Sequence, residues 1–156
     1  MENVFLGTEL VEIGIQIEKN GRDFYKTLIG KSKNSEARQI FEFLAREEEK
    51  HISVFQEILG AVRQYPSEIY PEEYFSYMNA LAGKYVFTQA RKGEEIALEI
   101  NSDEEAIDLG IKFEKDSIIF YEGIITAVKD EEKHLVEKII KEEEKHLQTL
   151  IDLKKK

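Results

Sequence analysis

The same five residues, EEEKH, stand at 47–51 and again at 142–146. On an α-helix, side chains three apart share a face, so Glu48 sits beside His51 and Glu143 beside His146, each pair able to chelate one cation. Two further glutamates lie in a second internal likeness: GIQIEKNGRDFY at 14–25 aligns without gaps to GIKFEKDSIIFY at 110–121, an offset of 96 that superposes Glu18 on Glu114 and Tyr25 on Tyr121. At an offset of 95, SEARQIFEFLAREEEKHISVF aligns to DEEKHLVEKIIKEEEKHLQTL and brings the two EEEKH segments together. The halves are versions of one helical hairpin.

All four glutamates fall within apolar helical stripes that contain no Lys or Arg. An unpaired carboxylate moved into an apolar interior costs several kcal/mol or more, so four converging in one core require cations. Two divalent ions would balance them. Carboxylate-rich ligation with one imidazole per ion suits iron, with manganese as the alternative, better than structural zinc, which prefers thiolates and tetrahedral closure. The metal-ligand set expected is therefore Glu18, Glu48, His51, Glu114, Glu143 and His146. A third match, EEKH at 131–134, puts His134 opposite Gln39 in the repeat, near a helix start and off the level of the others. Glu47, Glu49, Glu142 and Glu144 flank the stripes and read as surface. Tyr25 and Tyr121, seven residues after Glu18 and Glu114, return to the same faces and are candidates for a redox or hydrogen-bonding role as well as for core packing.

The elements that hold these residues are helices. Both prolines, Pro66 and Pro71, lie in the central stretch, leaving long segments on either side free of helix breakers. The spacing predicts a first helix from a Thr8 cap to Gly30, a second after Ser35, a third opened by a Ser102–Glu105 capping box, and a fourth capped by Asp130. Each exceeds about 20 residues, hence about 30 Å. Short links make antiparallel neighbours, while the roughly forty residues between the second and third helices must cross the length of the bundle. Within that crossover, EEYFSYMNALAG suggests a short extra helix ended by Gly83. The fold expected is all-α: a ferritin-like four-helix bundle of two duplicated hairpins, 8–60 and 102–153, joined by a crossover at 61–101, in one domain spanning 1–156.

Composition narrows the chemistry. The 156 residues contain no cysteine, which excludes disulfides, thiol nucleophiles, Cys zinc sites and iron–sulfur or rubredoxin-type iron centres within them. A net charge of −10, with no basic stretch longer than Lys154–Lys156, argues against nucleic acid and against an anionic membrane surface. No apolar run approaches the roughly 18 residues of a membrane span, so a soluble cytoplasmic protein is expected.

At these residues the chain resembles the ferritin-like di-iron carboxylate proteins, which take one Glu from each of two helices and a Glu-x-x-His from each of the other two. Within that superfamily it looks most like the rubrerythrins. The resemblance covers about 8–60 and 102–153. It implies that Glu48 and Glu143 bridge two irons while Glu18, His51, Glu114 and His146 complete their shells, and that the centre reduces hydrogen peroxide with electrons from a rubredoxin.

Three departures are visible. With no cysteine, the usual rubredoxin-like domain is missing, so electrons come from an external donor. Rubrerythrins proper carry an extra Glu one turn after the third-helix ligand, where this chain has Ser117. Where bacterioferritin supplies its haem Met, this chain has Glu49, so no haem is expected. The leading expectation is an oxidoreductase acting on peroxide or O2. The alternatives are ferritin-type iron oxidation and storage, and a di-iron oxygenase whose small substrate enters beside Gly14, Gly21 and Gly110. The duplicated hairpin and aromatic crossover also suit a homodimer.

Overall fold

The computed structural model describes residues 7–64, 91–125, 128 and 130–156. Among them are five helices and no strand: α1 (Gly7–Lys31), α2 (Ser35–Gln64), α3 (Lys92–Glu99), α4 (Asp103–Ile124) and α5 (Asp130–Lys154). The four long helices form the bundle. α1 packs along α2 and α4 along α5, while α1 against α4 and α2 against α5 close the square.

Helix ends follow local hydrogen bonding, and four differ from expectation. α1 begins at Gly7, which places Thr8 inside the helix, and it runs through Gly30 to Lys31. The link to α2 is only residues 32–34. The cap of α2 is Asn34, whose side-chain oxygen accepts from the Ala37 N–H at 3.0 Å; Ser35 is already helical. Two adjacent residues could each cap, and the amide side chain of Asn34 occupies the position that reaches the third N–H. Asp130 is likewise the first residue of α5. At α4, Ser102 Oγ accepts from the Glu105 N–H at 3.1 Å, while the Glu105 carboxylate accepts from Asn101 rather than from Ser102.

The helix expected at 72–83 lies outside the described residues. The described end of the crossover carries another short helix, α3, seated on α1. Gly93 donates its N–H to Asn20 Oδ1 at 3.2 Å, and a Cβ at Gly93 would stand 1.9 Å from the Asn20 carbonyl oxygen, so only glycine allows this approach. Lys31 Nζ then caps α3 by donating to the carbonyls of Ala97 and Leu98. Asn34 donates its N–H to Asp103 Oδ2, placing the start of α4 beside the end of α1. The crossover therefore leaves α2 at one end of the bundle and delivers α4 at the other.

The core is continuous, with Phe24, Phe41, Phe55, Phe113 and Phe120 almost wholly buried alongside Leu10, Leu28, Leu44 and Ile58. Six acidic and imidazole side chains are buried in the same interior. No described helix is long and apolar enough to cross a membrane.

Candidate metal centre

Each long helix contributes to one polar cluster: Glu18 from α1, Glu48 and His51 from α2, Glu114 from α4, Glu143 and His146 from α5. None is more than 3% exposed. These side chains form two groups, Glu18–Glu48–His51–Glu143 and Glu48–Glu114–Glu143–His146, with potential ligand atoms within 4.8 Å of one another in each. Glu48 and Glu143 belong to both groups, and the other four residues to one each. His51 Nδ1 lies 2.7 Å from Glu143 Oε1 and 3.5 Å from Glu18 Oε1. His146 Nδ1 lies 3.6 Å from Glu143 Oε2, 3.7 Å from Glu48 Oε1 and 4.0 Å from Glu114 Oε2. The imidazoles stack at 5.6 Å between centroids.

The donors point inward without satisfying each other. Both carboxylate oxygens of Glu48 and Glu143, one each of Glu18 and Glu114, and Nδ1 of both histidines have no aligned hydrogen-bond partner. Buried polar atoms are almost always partnered, so eight such atoms facing one another describe a cation site. Four carboxylates and two imidazoles fit two divalent ions of the iron or manganese kind.

The tyrosines bind crosswise. Tyr25 of α1 donates to Glu114 Oε1 at 2.7 Å, and Tyr121 of α4 donates to Glu18 Oε1 at 2.6 Å. Burial, reinforced by the carboxylate each one faces, holds both phenols well above their ordinary pKa, so they remain donors. Each takes one oxygen of a terminal glutamate and leaves the other facing the cluster.

Without an ion, protons must neutralise the site. Burial lifts Glu48 and Glu114 well above the carboxylate range, and repulsion from Glu143 adds to it. Burial opposes ionisation of Glu143 too, but Glu114, His146 and His51 overcome it and hold that carboxyl well below its usual value. Desolvation pulls the His51 imidazole down, yet Glu18 and Glu143 outweigh it and push it up to about 12.

Glu142 belongs to the site although its sequence position reads as surface. Its Oε2 lies 2.6 Å from His51 Nε2, with the side chain about one third exposed. A carboxylate there fixes the ring so that Nδ1 faces the cluster. The need of His51 Nε2 for an acceptor was the available signal, but four flanking glutamates were equal candidates until α2 and α5 were paired in space. His134 is exposed at the start of α5, away from the cluster. The glycines beside the site are filled rather than open: a Cβ at Gly21 would stand 2.4 Å from Phe113 Cζ, at Gly14 3.4 Å from Phe55, and at Gly110 3.1 Å from Leu150.

The rubrerythrin family model matches residues 9–154. The chain belongs to the rubrerythrin family. A crystal structure from Thermotoga maritima, described as a ferritin-like diiron-carboxylate protein, superposes with a TM-score of 0.77 over 100% of this chain and 99% of that one, at 23% identity, and so shares the bundle fold. A comparison with curated proteins found no match. Family and Glu/His cluster together indicate a di-iron site. With no cysteine in these residues, this rubrerythrin-family chain has no rubredoxin-type centre and no iron–sulfur cluster of its own.

Proposed function

We propose that this chain is a di-iron carboxylate oxidoreductase that reduces hydrogen peroxide, and O2 more slowly, with electrons from a separate donor. The sharing of Glu48 and Glu143 by two otherwise distinct groups carries this reading. Glu48 and Glu143 would each span both iron positions, Glu18 and His51 would complete one, and Glu114 and His146 the other. Iron bound there would supply the two electrons that split the O–O bond and the Lewis acidity that holds the oxidant.

Reduction of one peroxide to two waters also consumes two protons. Tyr25 and Tyr121 keep a proton at Glu114 Oε1 and Glu18 Oε1, and their burial excludes bulk water there. Ser117 donates to the Phe113 carbonyl at 2.8 Å and brings no carboxylate, so six residues form the whole proposed ligand set. Glu49 is exposed and paired with Arg22, which supports a centre without haem. A rubredoxin-type protein as donor and a cytoplasmic setting complete the proposal, since this chain has no thiolate centre with which to relay electrons.

Reduced, iron-loaded protein mixed anaerobically with one equivalent of peroxide tests it. The near-ultraviolet absorption of the ferrous protein should change within the mixing time, faster than with an equivalent of O2. A spectrum unchanged over minutes overturns the assignment. Oxidation by O2 accompanied by large iron-filled particles on sedimentation would instead establish iron storage.

A further inference from the structure

We propose that the two metal positions are unequal, the Glu18–His51 position holding its ion more tightly and the Glu114–His146 position being the one that exchanges. This rests on the metal-centre reading above. The inner residues are matched by the repeat: each position has its own Glu and His, the same two shared glutamates, and one tyrosine donating to its terminal Glu. The symmetry breaks one layer further out.

The offset of 95 makes Glu142 the counterpart of Glu47, and Lys138 the counterpart of Phe43. Glu142 reaches across from α5 to His51 Nε2 at 2.6 Å. The mirrored contact is absent: Glu47 pairs with Lys50 on its own helix at 3.2 Å, and among the described residues no carboxylate pairs with His146 through Nε2. The His146 ring meets Phe43 edge-on instead, with centroids 5.9 Å apart and an interplanar angle of 86°. Phe43 is 41% exposed, while the His146 ring it packs against is buried.

The two neighbours act differently on a ligand. A carboxylate accepting the Nε2 proton fixes tautomer and ring orientation and raises the basicity of Nδ1, and such partners are commonly worth about 10–100-fold in metal affinity. A phenyl edge packs against the ring but accepts no proton and adds no basicity. Glu142 is thus a positioning residue for one ion only, and the imidazole of the other ion has no such carboxylate among the described residues.

Calorimetric titration of the metal-free chain with Mn(II), followed in parallel by electron paramagnetic resonance, tests the inequality without any turnover. Two binding steps separated by about 10–100-fold are expected, with an isolated Mn(II) signal at one equivalent that gives way to a coupled pair at two. Glu142→Ala should weaken the tighter step by a similar factor and merge the two, Glu142→Gln should restore part of the gap, and Glu47→Ala should change neither step. His146→Ala should keep the tight step and His51→Ala should lose it. Two equal steps in the parent chain, or a tight step unmoved by Glu142→Ala in protein with an unchanged circular dichroism spectrum, would overturn the proposal. Fewer than two bound ions in the parent would instead overturn the metal-centre reading itself.

Discussion

Tyr121 and Glu18 lie 103 positions apart in the chain, yet the phenol donates to Glu18 Oε1 at 2.6 Å from the helix opposite. That bond orients a terminal glutamate which otherwise has rotational freedom, and it ties α4 to α1 at the level of the cluster. Hydrogen bonds to charged groups are worth about 1.5–3 kcal/mol. Tyr121→Phe should lower the melting temperature of the metal-loaded protein by several degrees while two ions remain bound, and Tyr25→Phe should do the same through Glu114. Scanning calorimetry with metal analysis of the same samples checks this; a variant melting with the parent would remove any stabilising role for the bond.

Metal uptake should expel protons. In the metal-free fold the His51 imidazole, pushed up to about 12, holds a proton at neutral pH, and the raised Glu48 and Glu114 carboxyls are shifted toward their protonated forms. An ion needs those atoms deprotonated. Binding at pH 7 should therefore release protons, measurable as the dependence of calorimetric heat on buffer ionisation enthalpy, and affinity should rise with pH. A buffer-independent heat would contradict the protonation pattern.

The residues that converge on the centre were legible because burying four carboxylates in one core is so costly that their presence in apolar stripes, twice in register, admits few explanations. The bundle was legible for a related reason: helical spacing and link lengths leave little choice of topology. The rest depended on information a single chain does not carry locally. Glu142 differs from Glu47, Glu49 and Glu144 only in what α2 presents to it. Asn34 and Ser35 are both good caps, and a one-residue difference in register decides between them. Helix α3 is eight residues long and owes its place to Gly93 meeting Asn20 and to Lys31 on its last carbonyls, contacts made with residues some seventy positions away.

Ligation and stability should pull apart at Glu48. Its folded-state pKa is raised, so the proton it holds favours the fold fully below the unfolded value near 4.5, and that contribution is lost as pH rises through the folded value. Glu114 has the same sign, and so does His51 above its own ordinary value. The metal-free protein should thus lose stability as pH climbs from neutral to alkaline. Glu48→Gln mimics the protonated acid: it should leave metal-free stability at pH 7 unchanged or higher, flatten the alkaline loss, and together with Glu143→Gln abolish binding of two ions. Urea midpoints across pH and elemental analysis decide it, and a double variant that retains two ions would reassign the bridging positions.

Two glycines of α1 should respond to alanine in opposite directions. Gly30 lies near the end of α1, and a Cβ there would meet nothing within 4 Å, so Gly30→Ala should stabilise by about 0.5–1 kcal/mol through helix propensity. Gly21 sits one turn after Glu18, where a Cβ would lie 2.4 Å from Phe113 Cζ and 3.0 Å from Glu48 Oε2. Phe113 is enclosed by the core and packs edge-on against Tyr25 at 6.1 Å, so it has no free direction in which to yield. Gly21→Ala should cost about 1–3 kcal/mol, as overpacking does. It should also weaken metal binding, because the displaced ring and the new methyl both press on a proposed bridging carboxylate. Thermal melts of the metal-free proteins measure the first effect and Mn(II) titration the second. A Gly21→Ala protein as stable and as metal-avid as the parent would mean that the contact between Gly21 and Phe113 is not what closes this side of the centre.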